Sequence, residues 1–260
     1  MLKVSEVPLR GEKLPMGGAA YKTVTQPLRD GRPTVLFEDA WLLAADKPAG
    51  LLVHADGAGE KPTLTALVAA YLEGEGRAEA AARLQAVQRL DVETTGVVLF
   101  SLDKTVQPAL DAQVAGHEMR KTYLAVVAGR FPRVSRRVEA PLGRDRHQAG
   151  KMRVCRPGAG KPSVTLVRRL AVSEDGRRTL LAVELLTGRR HQIRVHLAHL
   201  GFPLVGDALY GGARPSPARG EKGLLLHALS EEVTHPVTGE RLRLETAWPA
   251  RLGFGPVPVR

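Results

Sequence analysis

The chain has 260 residues, 43% of them hydrophobic, with a formal net charge of +11 and a sequence pI near 10.2. That apolar content supports a substantial core and excludes a chain that is disordered throughout. No stretch of about 18 apolar residues runs without a charge, the opening MLKVSEVPLRGEKLP lacks the apolar run of a secretory signal, and the single Cys155 supports neither an intramolecular disulfide nor a thiolate metal cluster; a cytoplasmic protein with no membrane association is expected.

In chain order, residues 1–34 carry turn signals at Pro15–Gly18 and Asp30–Pro33 and are expected to form a surface arm ahead of one domain over 35–260. TVLFEDAWLLAADKPAGLLVH then sets short apolar runs on both sides of a break at Asp46–Gly50; the runs read as strands and the break as a tight turn. A helix is expected from Leu64, with Thr63 as N-cap and Leu64, Leu67, Val68, Tyr71 and Leu72 at helical spacing until GEGRAEAAA interrupts it. VVLF at Val97–Phe100 reads as a strand, Pro108–Met119 as a helix with Gly116 as its weak point, and KTYLAVVAG as a strand ended by Gly129. SVTLVRRLAVSED and TLLAVELLTG flank Gly176-Arg177 as an antiparallel hairpin, and HPVTGERLRLETAWP repeats that grammar. RRHQIRVHLAHL fits a strand in part and a helix in part, and period counting does not decide between them. Strands outnumber helices and the alternation of a doubly wound sheet is missing. The expected fold is α+β, a mixed and mainly antiparallel sheet with flanking helices.

Charge is distributed unevenly. Residues 1–130 hold 15 Lys and Arg against 16 Asp and Glu, whereas residues 131–260 hold 23 against 11. The densest stretch, Arg130–Arg169, has 12 basic residues opposed only by Glu139 and Asp145. Such a surface contacts phosphates without reading bases, and with few aromatics interleaved it is not a stacking platform for single strands. Composition therefore points to an RNA-binding protein.

Chemistry could sit in three places. Gln88–Gly96, QRLDVETTG, is a compact polar run between apolar flanks that could fix the Asp91 carboxylate at a cleft floor, or could simply be a polar turn in which Asp91 caps local amides. His191, His196 and His199 invite a metal, but no carboxylate lies nearer in sequence than Glu184 and Asp207, and phosphate contacts or internally satisfied histidines fit better. Gly201–Gly212 matches neither GxGxxG nor GxxxxGK[ST] and reads as a structural turn. No GxSxG elbow occurs, and a two-metal nuclease would need a third carboxylate beside Asp91 and Glu93.

QRLDVETTG resembles the catalytic loop of the pseudouridine synthases, in particular the large-ribosomal-subunit type A branch, whose usual form is HRLDxxTSG. Four further segments resemble that family in the same order: ADKPAGLLVH at Ala45–His54, RKTYLAVVAG at Arg120–Gly129, TGRRHQIRVHLAHLGFPLVGDALYG at Thr187–Gly211 and LLLHALSEEVTHPVTGE at Leu224–Glu240. The resemblance implies isomerisation of uridine to pseudouridine in structured RNA held in a central cleft, with ribosomal RNA ranked ahead of transfer RNA and with no cofactor, metal or obligate protein partner. It makes Asp91 the catalytic carboxylate, Tyr123 the aromatic that packs on the uracil, Arg194 the cation that pairs with the aspartate, and Arg89 the side chain that enters the helix as the target nucleotide leaves. Ile193 and Leu226 fall on wall positions. Phosphate contacts are expected from Arg136, Arg137, Arg144, Lys151, Arg189, Arg190 and His191.

Two departures stand out: Gln88 replaces the usual histidine and Thr95 the usual serine. Gln88 keeps a polar side chain and removes a titratable one. The N-terminal RNA-binding domain that the family often shares with a small-subunit ribosomal protein is not expected in the short segment ahead of the core. The competing readings are a transfer-RNA enzyme of the same family and a catalytically silent RNA-binding or ribosome-assembly protein.

Overall fold

The apolar runs of the sequence become strands buried on both faces wherever helices cover them. The computed structural model describes residues 34–55, 62–132 and 134–259. The arm expected over 1–34 lies outside these residues, apart from Thr34. In chain order the elements are β1 (Thr34–Glu38), β2 (Leu42–Lys47), α1 (Leu64–Gly74), α2 (Ala78–Arg83), β3 (Gln85–Ala86), β4 (Thr95–Ser101), α3 (Gln107–Ala115), β5 (Arg120–Ala128), β6 (Ser135–Glu139), β7 (Leu142–Arg144), β8 (Met152–Val154), β9 (Val164–Val172), β10 (Arg178–Leu185), α4 (Gln192–His199), β11 (Leu226–Thr234) and β12 (Arg241–Glu245). The fold is α+β with a mostly antiparallel sheet, as expected.

The described residues divide into two compact units. One holds the chain up to Arg120 together with Ala228–Ala247. Its strands run β1-β2-β4-β11, with β12 added to β11 and β3 to β4. Alternate residues of β2 and β4 feed separate cores: Leu43, Ala45, Val98 and Phe100 pack with Leu64, Val68 and Leu72 of α1, while Leu42, Ala44, Val97 and Leu99 pack with Val106, Leu110, Val233 and Leu244. Covering on both faces explains why LLAA and VVLF are continuous apolar runs and not alternating ones.

Thr63 caps α1 as expected, its hydroxyl accepting from Ala66 N at 3.1 Å. Leu51–His54, expected as a strand, is not one. After the turn at Gly50 (φ +82°) its carbonyls are used to cap α1, Leu52 O and Val53 O accepting from Leu64 N at 2.7 Å and Thr65 N at 3.1 Å. A helix N-terminus needs such acceptors, and they are then withdrawn from any ladder. The interruption GEGRAEAAA also gives more than a loop, since its AEAAAR portion forms α2.

The other unit holds Lys121–His227 and the described chain from Trp248 onward. Its strands run β5-β10-β9-β6, all antiparallel, and β7-β8 form a separate two-stranded ribbon. The β9-β10 hairpin turns at Ser173–Arg177 as the sequence indicates, with Gly176 N donating to Ser173 O at 2.8 Å. RRHQIRVHLAHL resolves as the helix α4. Two of its five buried residues are polar, Gln192 and His196 beside Ile193, Val195 and Leu197, so apolar periodicity undercounts it. Among the described residues no helix is long and apolar enough to cross a membrane.

Candidate active site

Asp91 sits in the turn that leads into β4, with Thr94 N donating to Asp91 O at 3.0 Å. The next residue is the anchor. Val92 O accepts from Gly50 N at 2.9 Å and from Lys47 Nζ at 2.8 Å, and the same ammonium donates to Pro48 O at 2.9 Å and Leu51 O at 2.7 Å. Lys47 is fully buried. A buried ammonium is costly unless its three donors are satisfied, and these three carbonyls satisfy them. One side chain therefore fastens the DKPAG turn to the loop that carries Asp91.

Gly96 closes the motif for a steric reason. Its φ is +115°, and a Cβ there would lie 2.1 Å from the Ala228 carbonyl oxygen, so only glycine lets β4 approach β11. Gln88 donates through Nε2 to the Glu231 carboxylate of β11, itself 2% exposed. Arg89 is exposed and close enough to His54 that its charge adds to burial in lowering the His54 pKa.

In the second unit Tyr123 lies on β5 opposite Val183 of β10 and is 7% exposed. Arg194 lies in the first turn of α4, and its environment is heavily built. The buried Gln192 side chain fixes the start of the helix: Oε1 accepts from Thr187 Oγ1 at 2.9 Å and Arg189 N at 3.1 Å, and Nε2 donates to Val164 O at 2.9 Å and Thr165 Oγ1 at 3.0 Å. The Thr165 hydroxyl meets His196 Nδ1 at 2.8 Å, and His196 Nε2 meets Ala140 O at 3.0 Å. This chain of donors and acceptors suits a neutral imidazole, and burial pushes the His196 pKa down to about 4. His196 is thus a structural histidine, and among the described residues no group of His, Cys, Asp and Glu is placed to hold a metal.

Arg194 Nε and Nη2 reach the two oxygens of the Asp207 carboxylate at 2.8 and 2.9 Å. His191, the left-handed residue before α4 (φ 57°), meets the Tyr210 hydroxyl through Nδ1 at 2.8 Å, and Lys151 Nζ lies 5.5 Å from the Tyr210 ring centroid. Two of the expected RNA contacts, His191 and Lys151, therefore gather around Tyr210 together with Arg194, which is expected in a catalytic role. Arg144 on β7 and Arg190 are exposed. Arg189 Nε donates to Pro162 O at 3.4 Å, Arg137 donates to Glu139 within β6, and Arg136 faces Val167 of β9 in the strand register.

Residues 42–199 match the family model described as RNA pseudouridylate synthase. The chain belongs to the RNA pseudouridylate synthase family. It is 38% identical over 256 residues to the Ribosomal large subunit pseudouridine synthase D of Xanthomonas campestris pv. campestris, covering 94% of this chain and 75% of that one. It is 36% identical over 220 residues to the Uncharacterized RNA pseudouridine synthase YhcT of Bacillus subtilis (strain 168), covering 85% and 70%. In fold it is similar to Human RNA Pseudouridylate Synthase Domain Containing 1, with a TM-score of 0.68 at 22% identity over 86% of each chain.

As a pseudouridine synthase the chain acts on RNA and isomerises uridine. Two residues central to its local geometry were not singled out by sequence reasoning. The sequence places Lys47 in a turn, and nothing in DKPAG signals that its ammonium is buried. In the sequence Asp207 figures only, with Glu184, as a carboxylate too distant to complete a metal site. The glycines around it do make a tight turn, since a Cβ at Gly206 would meet Gly223 O at 2.0 Å and one at Gly212 would meet Leu204 O at 1.9 Å. The residue that the turn delivers is the signal: an aspartate one position after such a glycine, downstream of a helix bearing an arginine.

Proposed function

We propose that this enzyme converts specific uridines of large-subunit ribosomal RNA to pseudouridine, with Asp91 as its catalytic carboxylate and the cytoplasm as its place of action. Support for the RNA class comes from relatives named as ribosomal large subunit pseudouridine synthases, one of which aligns with 94% of this chain. The observation that carries the assignment of Asp91 is the anchoring of its loop: Val92 is held by the buried Lys47 ammonium and by Gly50, while Arg89 on the other side of the motif stays exposed.

The roles follow from the chemistry. Isomerisation breaks the bond between uracil N1 and the ribose C1′, turns the base, and joins C5 to the same carbon, so no redox partner or external energy source is needed. A carboxylate can attack C1′ or assist a glycal intermediate by removing a proton. In the proposal Arg194 keeps that carboxylate ionised and Tyr123 holds the detached base on its ring. Arg89 occupies the space left by the extruded nucleotide, whose extrusion costs a few kcal/mol. Arg136, Arg137, Arg144, Lys151, Arg189, Arg190 and His191 contribute phosphate contacts.

The test is pseudouridine mapping by chemical labelling on ribosomal and transfer RNA from cells lacking the gene, after incubation with the purified protein or its Asp91→Asn variant. The expected result is new signal at a defined uridine of large-subunit ribosomal RNA with the native protein and none with the folded variant. Signal confined to transfer RNA would overturn the substrate class, and equal signal from the variant would overturn the role of Asp91.

A further inference from the structure

The Gly206–Gly212 turn is the part of the second unit that the proposed chemistry leaves unused, yet its polar side chains all converge on Arg194. Asp207 is 1% exposed. Its Oδ1 accepts from Leu209 N at 3.1 Å, Tyr210 N at 3.2 Å and Arg194 Nη2 at 2.9 Å, and its Oδ2 accepts from Arg194 Nε at 2.8 Å. The two backbone donors hold the carboxylate within its own turn, and two parallel bonds fix the plane of the guanidinium. Tyr210 bounds the same group: the Arg194 guanidinium carbon lies 5.2 Å from the centre of its ring. The Tyr210 hydroxyl in turn accepts from Met152 N at 2.9 Å and meets His191 Nδ1 at 2.8 Å, which ties β8 to the start of α4.

We propose that Asp207 and Tyr210 are positioning residues for the isomerisation: Asp207 sets the orientation of the Arg194 guanidinium, and Tyr210 joins that guanidinium to the basic β7-β8 ribbon. The inference rests on the reading of Arg194 given above. A long, flexible arginine has many rotamers, and a cation that must stabilise one carboxylate during reaction gains from being held in a single one. A bidentate buried partner does this, and a ring whose centre lies 5.2 Å from the guanidinium carbon limits what remains. The ribbon, with Arg144 and Lys151, is then registered against the same helix that carries Arg194.

The experiment is steady-state kinetics on a transcribed target RNA with Arg194→Ala, Asp207→Asn, the double variant and Tyr210→Phe, each checked for folding by circular dichroism. Asp207→Asn is expected to lower kcat by about 10- to 100-fold with KM little changed. If Asp207 acts through Arg194, the double variant is no slower than Arg194→Ala alone. Tyr210→Phe keeps the ring and loses the ties to Met152 and His191, so KM is expected to rise about fivefold with kcat within about twofold of native. Where Asp207→Asn does not fold, Asp207→Glu, which keeps the charge and lengthens the arm, decides the same point.

A native kcat in the Asp207 variant beside an impaired Arg194→Ala overturns the inference alone, as do fully additive losses in the double variant. A native KM in Tyr210→Phe removes Tyr210 from it. A native kcat in Arg194→Ala overturns the reading of Arg194 together with the inference built on it.

Discussion

Lys47 shows how a single side chain sets the conformation of the loop that carries Asp91, the proposed catalytic carboxylate. Its ammonium is fully buried and gives its donors to the carbonyls of Pro48, Leu51 and Val92. Replacing it by Met keeps the length of the arm and removes the donors, leaving buried carbonyls unsatisfied at about 1–3 kcal/mol each. Lys47→Met is therefore expected to lower the melting temperature clearly and to reduce kcat more than KM, because the Asp91 loop loses its tether at Val92. Native stability in that variant would show that water replaces the ammonium at no cost. Gly96 gives a sharper case, since a methyl group there meets the Ala228 carbonyl oxygen at 2.1 Å and the backbone is left-handed at +115°. Gly96→Ala is expected to cost several kcal/mol or to prevent folding, as measured by denaturant titration. The family resemblance of the motif that carries Asp91 was legible in the sequence because the motif is contiguous. The tether was not, because Lys47 and Val92 are 45 positions apart and lysine is ordinarily an exposed residue.

Among the elements, α1 and the β9-β10 hairpin could be read from sequence because cap, period and turn residues agree there. Leu51–His54 could not, because capping a neighbouring helix leaves no trace in a residue's own hydrophobicity. The helix α4 escaped for a different reason: two of its five buried residues are Gln192 and His196, held by Thr165 and by the carbonyls of Val164 and Ala140. That arrangement has a consequence for acid stability. Burial lowers the His196 pKa from 6.5 to about 4, so between those values the unfolded chain carries a proton that the folded chain refuses. The stability of the neutral form is complete above pH 6.5 and is lost as the pH falls toward about 4, a change on the order of 3 kcal/mol. His227, lowered to about 3 by burial and then by Arg251, acts in the same direction. Melting temperature is expected to drop between pH 7 and pH 5, and His196→Gln is expected to flatten that slope whatever it does to the absolute value. An unchanged slope would mean that the imidazole takes up its proton over the same pH range in the folded chain as in the unfolded one.

For the molecule as a whole, the decisive property is where its positive charge lies. Nearly all of the excess follows residue 130, and the 12 basic residues of Arg130–Arg169 meet only two carboxylates. Not all of them are equally available to phosphate. Arg137 is engaged with Glu139 on β6, and Arg169 Nη1 donates to Phe131 O at 2.9 Å. Arg144 and Arg153, in contrast, are exposed and belong to the β7-β8 ribbon, where Gly143 faces Arg153 and Arg144 faces Met152. Reversing Arg137 would also leave Glu139 without its partner, which mixes loss of RNA contact with a change in β6. The ribbon gives the cleaner measurement. In an Asp91→Asn background, to separate binding from turnover, the Arg144→Glu/Arg153→Glu double variant is expected to weaken RNA binding at low salt. It is also expected to reduce the slope of log affinity against log salt by about 2, one for each phosphate contact removed. The loss should shrink as salt rises, since the variant has fewer counterions to release. Filter binding or fluorescence anisotropy from low to moderate ionic strength measures both quantities, and a slope equal to that of the Asp91→Asn parent would take the ribbon out of the RNA-binding surface.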